Sequence, residues 1–280
     1  GEWGRAVDYR RVQLDKLKNV EINLKATLDA KKVREYGADI VVIATGSRWA
    51  ERGVNGATHE PIPGADASLP HCLTPEQIMV EGKRPAGKRV LVYDCDGYYM
   101  GSALAEKLAR EGHTVTLVTP LYQVAPFTEY TLELPRIKRT LFSLNVDVVT
   151  EHTLDHIEPG VAKGTHIYDP RKSAVWEIDS VVLVTSRYSD ESLFRELEAD
   201  PGALKREGIQ GLYRIGDCVS PRLIADAIFD GHRLAREIDS ADPAVPLPYI
   251  REYRVLGRSD AEFDAVLDGK KVEARSSRTK

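Results

Sequence analysis

The sequence is short of the residues that build a membrane span, a metal cluster or a disulfide framework. No apolar run approaches the roughly 20 residues that a transmembrane helix needs. The longest, Ile40 to Ala44, is only strand-sized. The three cysteines, Cys72, Cys95 and Cys218, are far apart, with no C-x-x-C pair and no Cys-His cluster among them. That spacing favours reduced thiols in a cytoplasmic protein, and it falls short of the about four thiolates that hold an iron–sulfur cluster. The seven histidines form no H-E-x-x-H, and no serine stands in a G-x-S-x-G elbow, so a metallohydrolase or a serine hydrolase has no residues to work with. A net charge of −4 gives no reason to expect nucleic acid or an anionic membrane as partner. The basic tail, Arg275 to Lys280, reads as a frayed terminus.

What is present is an alternation of helical and strand patterns. The polar first residues show no signal peptide. Gly1-Glu2-Trp3 runs into a helical segment without an initiator Met or an opening strand, so the chain reads as a piece of a longer polypeptide. Asp8 to Leu17 is expected as an amphipathic helix and Val20 to Ala26 as a half-buried strand. Asp29 suits the N-cap of a helix over Ala30 to Tyr36, and Gly37 its stop. Asp39 to Ser47 reads as a buried strand ending in a tight turn. Residues 50 to 70, rich in Gly, Pro and Ala, read as an irregular crossing between domains. Thr74-Pro75-Glu76-Gln77 carries a capping box with proline in the first turn.

A second unit follows. Strand Arg89–Tyr93, helix Tyr98–Glu111 and strand Thr114–Val118 make a βαβ unit, which implies parallel strands. A helix over Leu134 to Leu144 and strands over Val146 to Thr150 and Val181 to Thr185 extend it. Thr153 to Asp179, broken at Gly160, Gly164 and Pro170, suggests an antiparallel meander. Gly211 to Ile215 and a long helix over Pro221 to Ile238 then return to the first unit. The expected fold is therefore α/β: two Rossmann-like three-layer domains of the FAD/NAD(P)-binding type, the second inserted in the first, with a small antiparallel meander. The divisions are 1–82, 83–207 for the inserted domain, 208–248 for the return, and a weakly patterned tail, 249–280.

Two short motifs carry the chemistry. Ala44-Thr45-Gly46 ends a strand where a Cβ would block close approach of the backbone to a phosphate. Its counterpart is Gly216-Asp217, with Pro221-Arg222-Leu223 opening a helix whose N–H groups favour an anion. Together Ala44, Thr45, Gly46, Gly216, Asp217, Arg222 and Leu223 are the candidate nucleotide contacts, Arg222 being the candidate cation. The same residues also suit an ordinary strand–turn–helix with a capping Asp. Trp49 either covers a nucleotide or fills the domain junction; junction packing is the favoured reading.

In the second unit the dinucleotide fingerprint is broken. G-x-G-x-x-G is due after the strand. Instead the chain reads Asp94-Cys95-Asp96-Gly97-Tyr98-Tyr99-Met100-Gly101, with carboxylates in place of the first two glycines. Thr119 stands where an acid for the ribose is due. A pyrophosphate about 4–5 Å from a carboxylate meets strong repulsion at intermediate dielectric. A carboxylate that caps the following helix contributes roughly 0.3–2 kcal/mol instead. The expectation is a dinucleotide fold that has lost its ligand and uses an Asp as the cap. The competing reading is a remodelled site in an NAD(P)H-dependent flavin and iron–sulfur reductase of the dienoyl-CoA reductase type.

Ile43-Ala44-Thr45-Gly46-Ser47-Arg48-Trp49, Pro61 to Pro70 and Leu73 to Gln77 resemble the trimethylamine dehydrogenase family, which includes dimethylamine and histamine dehydrogenases. Ala105 to Leu108 and Gly216-Asp217 with Pro221 to Ala227 are similar to it too. The resemblance spans about Gly1 to Tyr249. It implies the C-terminal nucleotide-binding part of an amine-oxidising enzyme, with ADP (or FAD) in the first domain. FMN and a 4Fe-4S cluster would lie outside this chain, with the N-terminal barrel of the same polypeptide. It further implies an electron-transfer flavoprotein as acceptor, a homo-oligomer, and no catalytic residue in this chain.

Overall fold

In a computed structural model the described residues are 4–247. The tail expected over 249–280 lies outside them. The opening helix, α1 (Gly4–Leu14), lies earlier than the amphipathic helix expected over Asp8–Leu17 and has no apolar face: Val7, Tyr9 and Val12 stand exposed and none of its side chains is buried. The strand expected over Val20–Ala26 does not form. Val20, Ile22 and Leu24 alternate as required, yet they stand 40%, 51% and 77% exposed. Alternation makes a strand only where a neighbour completes the hydrogen-bond ladder, and none pairs here among the described residues.

Helix α2 (Ala30–Glu35) follows its cap as expected, with Lys32 N donating to Asp29 Oδ1 at 2.8 Å. After it come β1 (Ile40–Ile43), β2 (Ser47–Trp49), β3 (Cys72–Leu73) and α3 (Pro75–Met79). The Thr74 N–H donates to Gln77 Oε1 at 3.2 Å, closing the capping box. Next are β4 (Arg89–Asp94), α4 (Met100–Arg110), β5 (Thr114–Val118), α5 (Leu134–Ser143) and β6 (Asp147–Val149). The meander is β7 (His152–Glu158), β8 (Val161–His166) and β9 (Asp169–Glu177). The remaining elements are β10 (Ser180–Val184), β11 (Arg187–Ser189), α6 (Ser192–Glu198), α7 (Pro201–Arg206), β12 (Gly211–Arg214) and α8 (Ile224–Glu237).

The larger sheet is parallel throughout, in the order β3-β10-β4-β5-β6. Its strands are apolar on both faces because both are covered. Val90, Val92, Leu117, Val182 and Val184 pack with Leu104 and Leu108 of α4 and Leu141 of α5. Leu91, Tyr93, Val118, Val181 and Leu183 pack with Leu154, Ile157 and Ala162 of the meander. Each such fully buried side chain contributes roughly 1.5–3 kcal/mol.

The meander occupies the expected span and turns at Gly160, as expected, and at Ile167-Tyr168. Gly164 and Pro170 lie inside β8 and β9. A Cβ on Gly164 would stand 2.0 Å from Thr153 O and 2.8 Å from the Trp176 ring, so this glycine serves close packing and not a turn. Pro170 is tolerated near the start of an edge strand, beside a register shift.

The smaller sheet pairs β1 with β12 in parallel, although the two strands lie at opposite ends of the described sequence. β1 is less buried than expected: Ile43 is buried while Ile40 and Val42 are exposed. β2 and β11 pair antiparallel, Trp49 opposite Arg187. The described residues divide into two compact units between Ile228 and Phe229, and α8 runs across that boundary. Within the second unit Arg233 pairs with Glu237 at 2.7 Å. No described helix is long and apolar enough to cross a membrane.

Candidate nucleotide site

The parallel register Ile43↔Arg214 sends Ala44-Thr45-Gly46 and Gly216-Asp217 out of the same, carboxyl end of the small sheet. This is where open α/β sheets hold ligands. Gly46 has φ +84°, which an L side chain adopts poorly, and a Cβ there would meet nothing within 4 Å. The backbone is thus uncrowded at Gly46, whereas a Cβ on Gly216 would stand 3.6 Å from Ala227 Cβ. The turn is held from behind: Thr45 Oγ1 donates to Asp190 O, and Asp190 N donates to Gly46 O at 2.9 Å. Gly216, at φ +66°, makes the matching turn after β12.

Asp217 joins the two turns. Its Oδ2 accepts from Ser47 Oγ at 3.0 Å and from Arg187 Nη1 at 3.0 Å. Its Oδ1 accepts from Arg222 N at 3.0 Å. The second Arg187 nitrogen, Nη2, donates to Arg222 O at 3.0 Å, and its guanidinium lies 5.4 Å over the Trp49 ring. Leu223 is exposed, and its N–H donates to Asp226 Oδ2 at 3.0 Å. All seven candidate residues therefore gather around one mouth, with the N–H groups of Arg222 and Leu223 already engaged by carboxylates. Trp49 is buried in the core cluster of the large sheet, and its backbone N–H donates to Glu76 Oε1 at 2.7 Å.

Sequence reasoning missed Arg187 and Glu76. Glu76 reads there only as part of a capping box. Arg187 belongs to a three-residue strand with no periodic signal.

A cleft of about 700 Å³ adjoins this turn, with Arg48, Trp49, Arg52, Tyr188 and Asp190 in its walls. A groove of about 420 Å³ runs along β1 between Leu28, Val33, Ile40, Val42 and Thr45.

The corresponding mouth of the large sheet is packed shut. Asp94 is completely buried, and its Oδ1 accepts from Asp96 N at 3.0 Å and Gly97 N at 3.1 Å. The expected helix cap is therefore corrected: α4 has no side-chain cap at Tyr99, and the carboxylate closes its own loop instead. Asp94 Oδ2 has no hydrogen-bond partner, and burial pushes the carboxyl up to about 7. It lies hard against α4, since a Cβ on Gly101 would stand 2.3 Å from Asp94 Cγ. From the other side, a Cβ on Gly97 would stand 2.5 Å from Leu121 and 3.1 Å from the Phe127 ring. Phe127 N donates to Gly97 O at 3.1 Å. Tyr99 Oη meets Thr131 Oγ1 at 2.9 Å and donates to Glu133. Thr119 is buried and its hydroxyl accepts from Leu121 N at 3.2 Å. The segment after β5 thus occupies the space over the loop where a dinucleotide would lie.

Among the described residues no group of three or more His, Cys, Asp or Glu could hold a metal ion. Cys72 and Cys218 are buried thiols and Cys95 is partly buried.

Residues 73–185 match the family described as the OYE-like second alpha/beta domain. The chain is 46% identical over 279 residues to dimethylamine dehydrogenase of Hyphomicrobium sp. (strain x), covering 92% of this chain and 38% of that protein. Histamine dehydrogenase from Rhizobium sp. 4-9 superposes with a TM-score of 0.83 at 38% identity, over 91% of this chain and 39% of that one. The 6-hydroxypseudooxynicotine amine oxidase from Pseudomonas geniculata N1 gives a TM-score of 0.76 at 39% identity, over 82% and 33%. The chain spans less than two fifths of the length of these relatives.

Proposed function

The chain belongs to the family of amine dehydrogenases that includes the dimethylamine and histamine enzymes, and on that premise we propose that it is the nucleotide-binding and scaffolding C-terminal part of an iron–sulfur flavoprotein. The whole enzyme oxidises an alkylamine or histamine. The observation that carries the reading is that β1 and β12, paired in parallel, end side by side in two glycine turns of positive φ, Gly46 and Gly216. An ADP or FAD moiety would lie against Ala44, Thr45, Gly46 and Gly216, with Arg222 and Leu223 just before α8, the Arg222 side chain and not the two engaged N–H groups supplying the contact. Asp217 holds the two turns at the right separation.

FMN and a 4Fe-4S cluster do not fit this chain. Its thiols are dispersed, and no described cluster gathers metal ligands. They belong to the barrel portion of the same polypeptide, and amine oxidation takes place there. Pairing of β1 with β12 supports an insertion of residues 83–207 into a first domain formed by 1–82 and 208–248. Exposed Ile40 and Val42 beside the groove along β1 support completion of that domain by further polypeptide, since parallel sheets are normally covered on both faces. The electrons leave to an electron-transfer flavoprotein, in a homo-oligomeric, cytoplasmic enzyme. A reductase that draws on NAD(P)H requires an open second mouth, and the packing of Asp94, Leu121 and Phe127 counts against it.

The test is direct. The 280-residue chain, assayed with alkylamines and histamine and a dye acceptor, is expected to show no turnover. The intact gene product is expected to be several hundred residues longer and to carry flavin and iron. Turnover by the chain alone, or an intact product without flavin, would overturn the reading.

A further inference from the structure

The donors at the entrance to α8 are already engaged. Asp217 takes the N–H of Arg222, Asp226 takes that of Leu223, and Arg187 is held by Asp217 and by the Arg222 carbonyl. A nucleoside diphosphate brings two phosphates, and their charge needs partners from elsewhere. The cleft beside the Thr45–Gly46 turn has them. Its volume of about 700 Å³ lies within the range of about 300–1,000 Å³ typical of ligand sites.

Two arginines, Arg48 and Arg52, stand in its walls. Arg48 lies on β2, two residues after Gly46. Tyr188 of β11 is directly opposite it, so the two side chains share one face of the ribbon, and Tyr188 is 53% exposed. The Arg48 side chain is 78% exposed, and its Nη2 pairs with Asp190 Oδ2 at 3.3 Å. A pair this exposed contributes little, so a phosphate competes readily for the guanidinium. Asp190 keeps that guanidinium beside the turn: its Oδ1 accepts from Ser192 Oγ at 2.9 Å, and its backbone holds Thr45 and Gly46. Arg52 is exposed, and Glu51, exposed as well, brings an opposing charge to the same wall.

We infer that this cleft takes the charged end of the nucleotide, a diphosphate group held by the side chains of Arg48 and Arg52, while the rest of the ligand lies against the Gly46 and Gly216 turns. The identity of the ligand rests on the nucleotide reading of that mouth; the preference of the cleft for a phosphate does not. A guanidinium suits the task because its planar fork meets two phosphate oxygens at once.

Four variants of the 280-residue chain, Arg48→Gln, Arg52→Gln, Glu51→Gln and Arg222→Gln, test this by calorimetry at low ionic strength with ADP, inorganic pyrophosphate and adenosine. ADP and pyrophosphate are expected to saturate the wild type. R48Q and R52Q are each expected to weaken both about tenfold and to leave adenosine unchanged. E51Q is expected to tighten both, because it removes a like charge. R222Q is expected to weaken ADP and adenosine alike and to leave pyrophosphate unchanged. No pyrophosphate binding in the wild type, wild-type affinities in R48Q and R52Q, or pyrophosphate binding lost in R222Q alone would each overturn the inference. ADP and adenosine binding equally, with both dependent on Arg222, would keep the nucleotide reading and overturn the cleft. Pyrophosphate held by Arg48 and Arg52, with adenosine unbound and ADP no tighter than pyrophosphate, would keep the cleft as a phosphate site and overturn the nucleotide reading.

Discussion

Replacing Asp94 by asparagine is expected to stabilise the chain at pH 8 by a few kcal/mol, an ionisation penalty of about 4 kcal/mol less the cost of an amide N–H left without a partner, an unusual direction for a change inside a core. The carboxyl is completely buried, one oxygen has no partner, and burial raises its pKa from 3.8 to about 7. The folded-state value lies above the unfolded one. Stability is therefore complete below about pH 4, falls as pH rises through the interval from about 4 to 7, and stays low above it. Asparagine keeps the acceptor for Asp96 N and Gly97 N and never ionises. The advantage of D94N is expected to shrink to below about 2 kcal/mol at pH 5. At pH 8 it corresponds to a rise of about 10 °C in Tm for a unit of this size. Parallel denaturant titrations of both proteins at pH 5 and pH 8 check this. An advantage that is absent, or independent of pH, would show that Asp94 ionises freely and is not sealed.

Gly101→Ala is expected to be severely destabilising, and to be relieved by shortening Asp94. The added methyl would stand 2.3 Å from Asp94 Cγ and 2.4 Å from Oδ2, atoms fixed in the core and unable to swing into solvent. Overpacking of this kind costs about 1–3 kcal/mol or more. Asp94→Ala alone leaves Asp96 N and Gly97 N without their acceptor and is expected to cost about 1–3 kcal/mol. Against the alanine at 101 the same change removes the two shortest contacts and leaves only Asp94 Cβ, 2.6 Å from the added methyl, so the relief is partial: D94A/G101A is expected to be more stable than G101A but less stable than D94A. Thermal unfolding of the four proteins reads the cycle. Additive losses would mean that the helix shifts to accept the methyl without involving Asp94.

These two residues show what could be read from the sequence and what could not. Carboxylates in glycine positions mark the β4–α4 loop as unlike a dinucleotide loop, because charge and volume act locally. That Asp94 satisfies its own loop and not the helix depends on its rotamer and on Leu121 and Phe127, which approach from beyond β5. Elements with strong punctuation are legible for the same local reason: Asp29 and Gly37 bound α2, and Thr74 with Gln77 starts α3. Val20 to Ala26 has the alternation of a strand but lacks a neighbour, and no residue within the segment reports that. β2 and β11 are three residues each, too short for any period. Arg187, placed by β11 thirty residues before the Asp217 it holds, is invisible to motif reading for that reason. The seven mouth residues could be named because turns at the ends of parallel strands carry glycine signatures. Their partners could not, because they arrive through tertiary packing.

The proposed function requires one asymmetry: the small sheet takes a nucleotide at its carboxyl end, and the large sheet, with Asp94, Leu121 and Phe127 packed over its loop, does not. Calorimetric titration of the 280-residue chain with NADH at concentrations up to about 1 mM tests it most directly, a limit at which binding weaker than about −4 kcal/mol escapes detection. The expected result is no saturable heat, with the Tm unmoved by the ligand. Saturation in the micromolar range, lost in a variant of the β4–α4 loop, would contradict it.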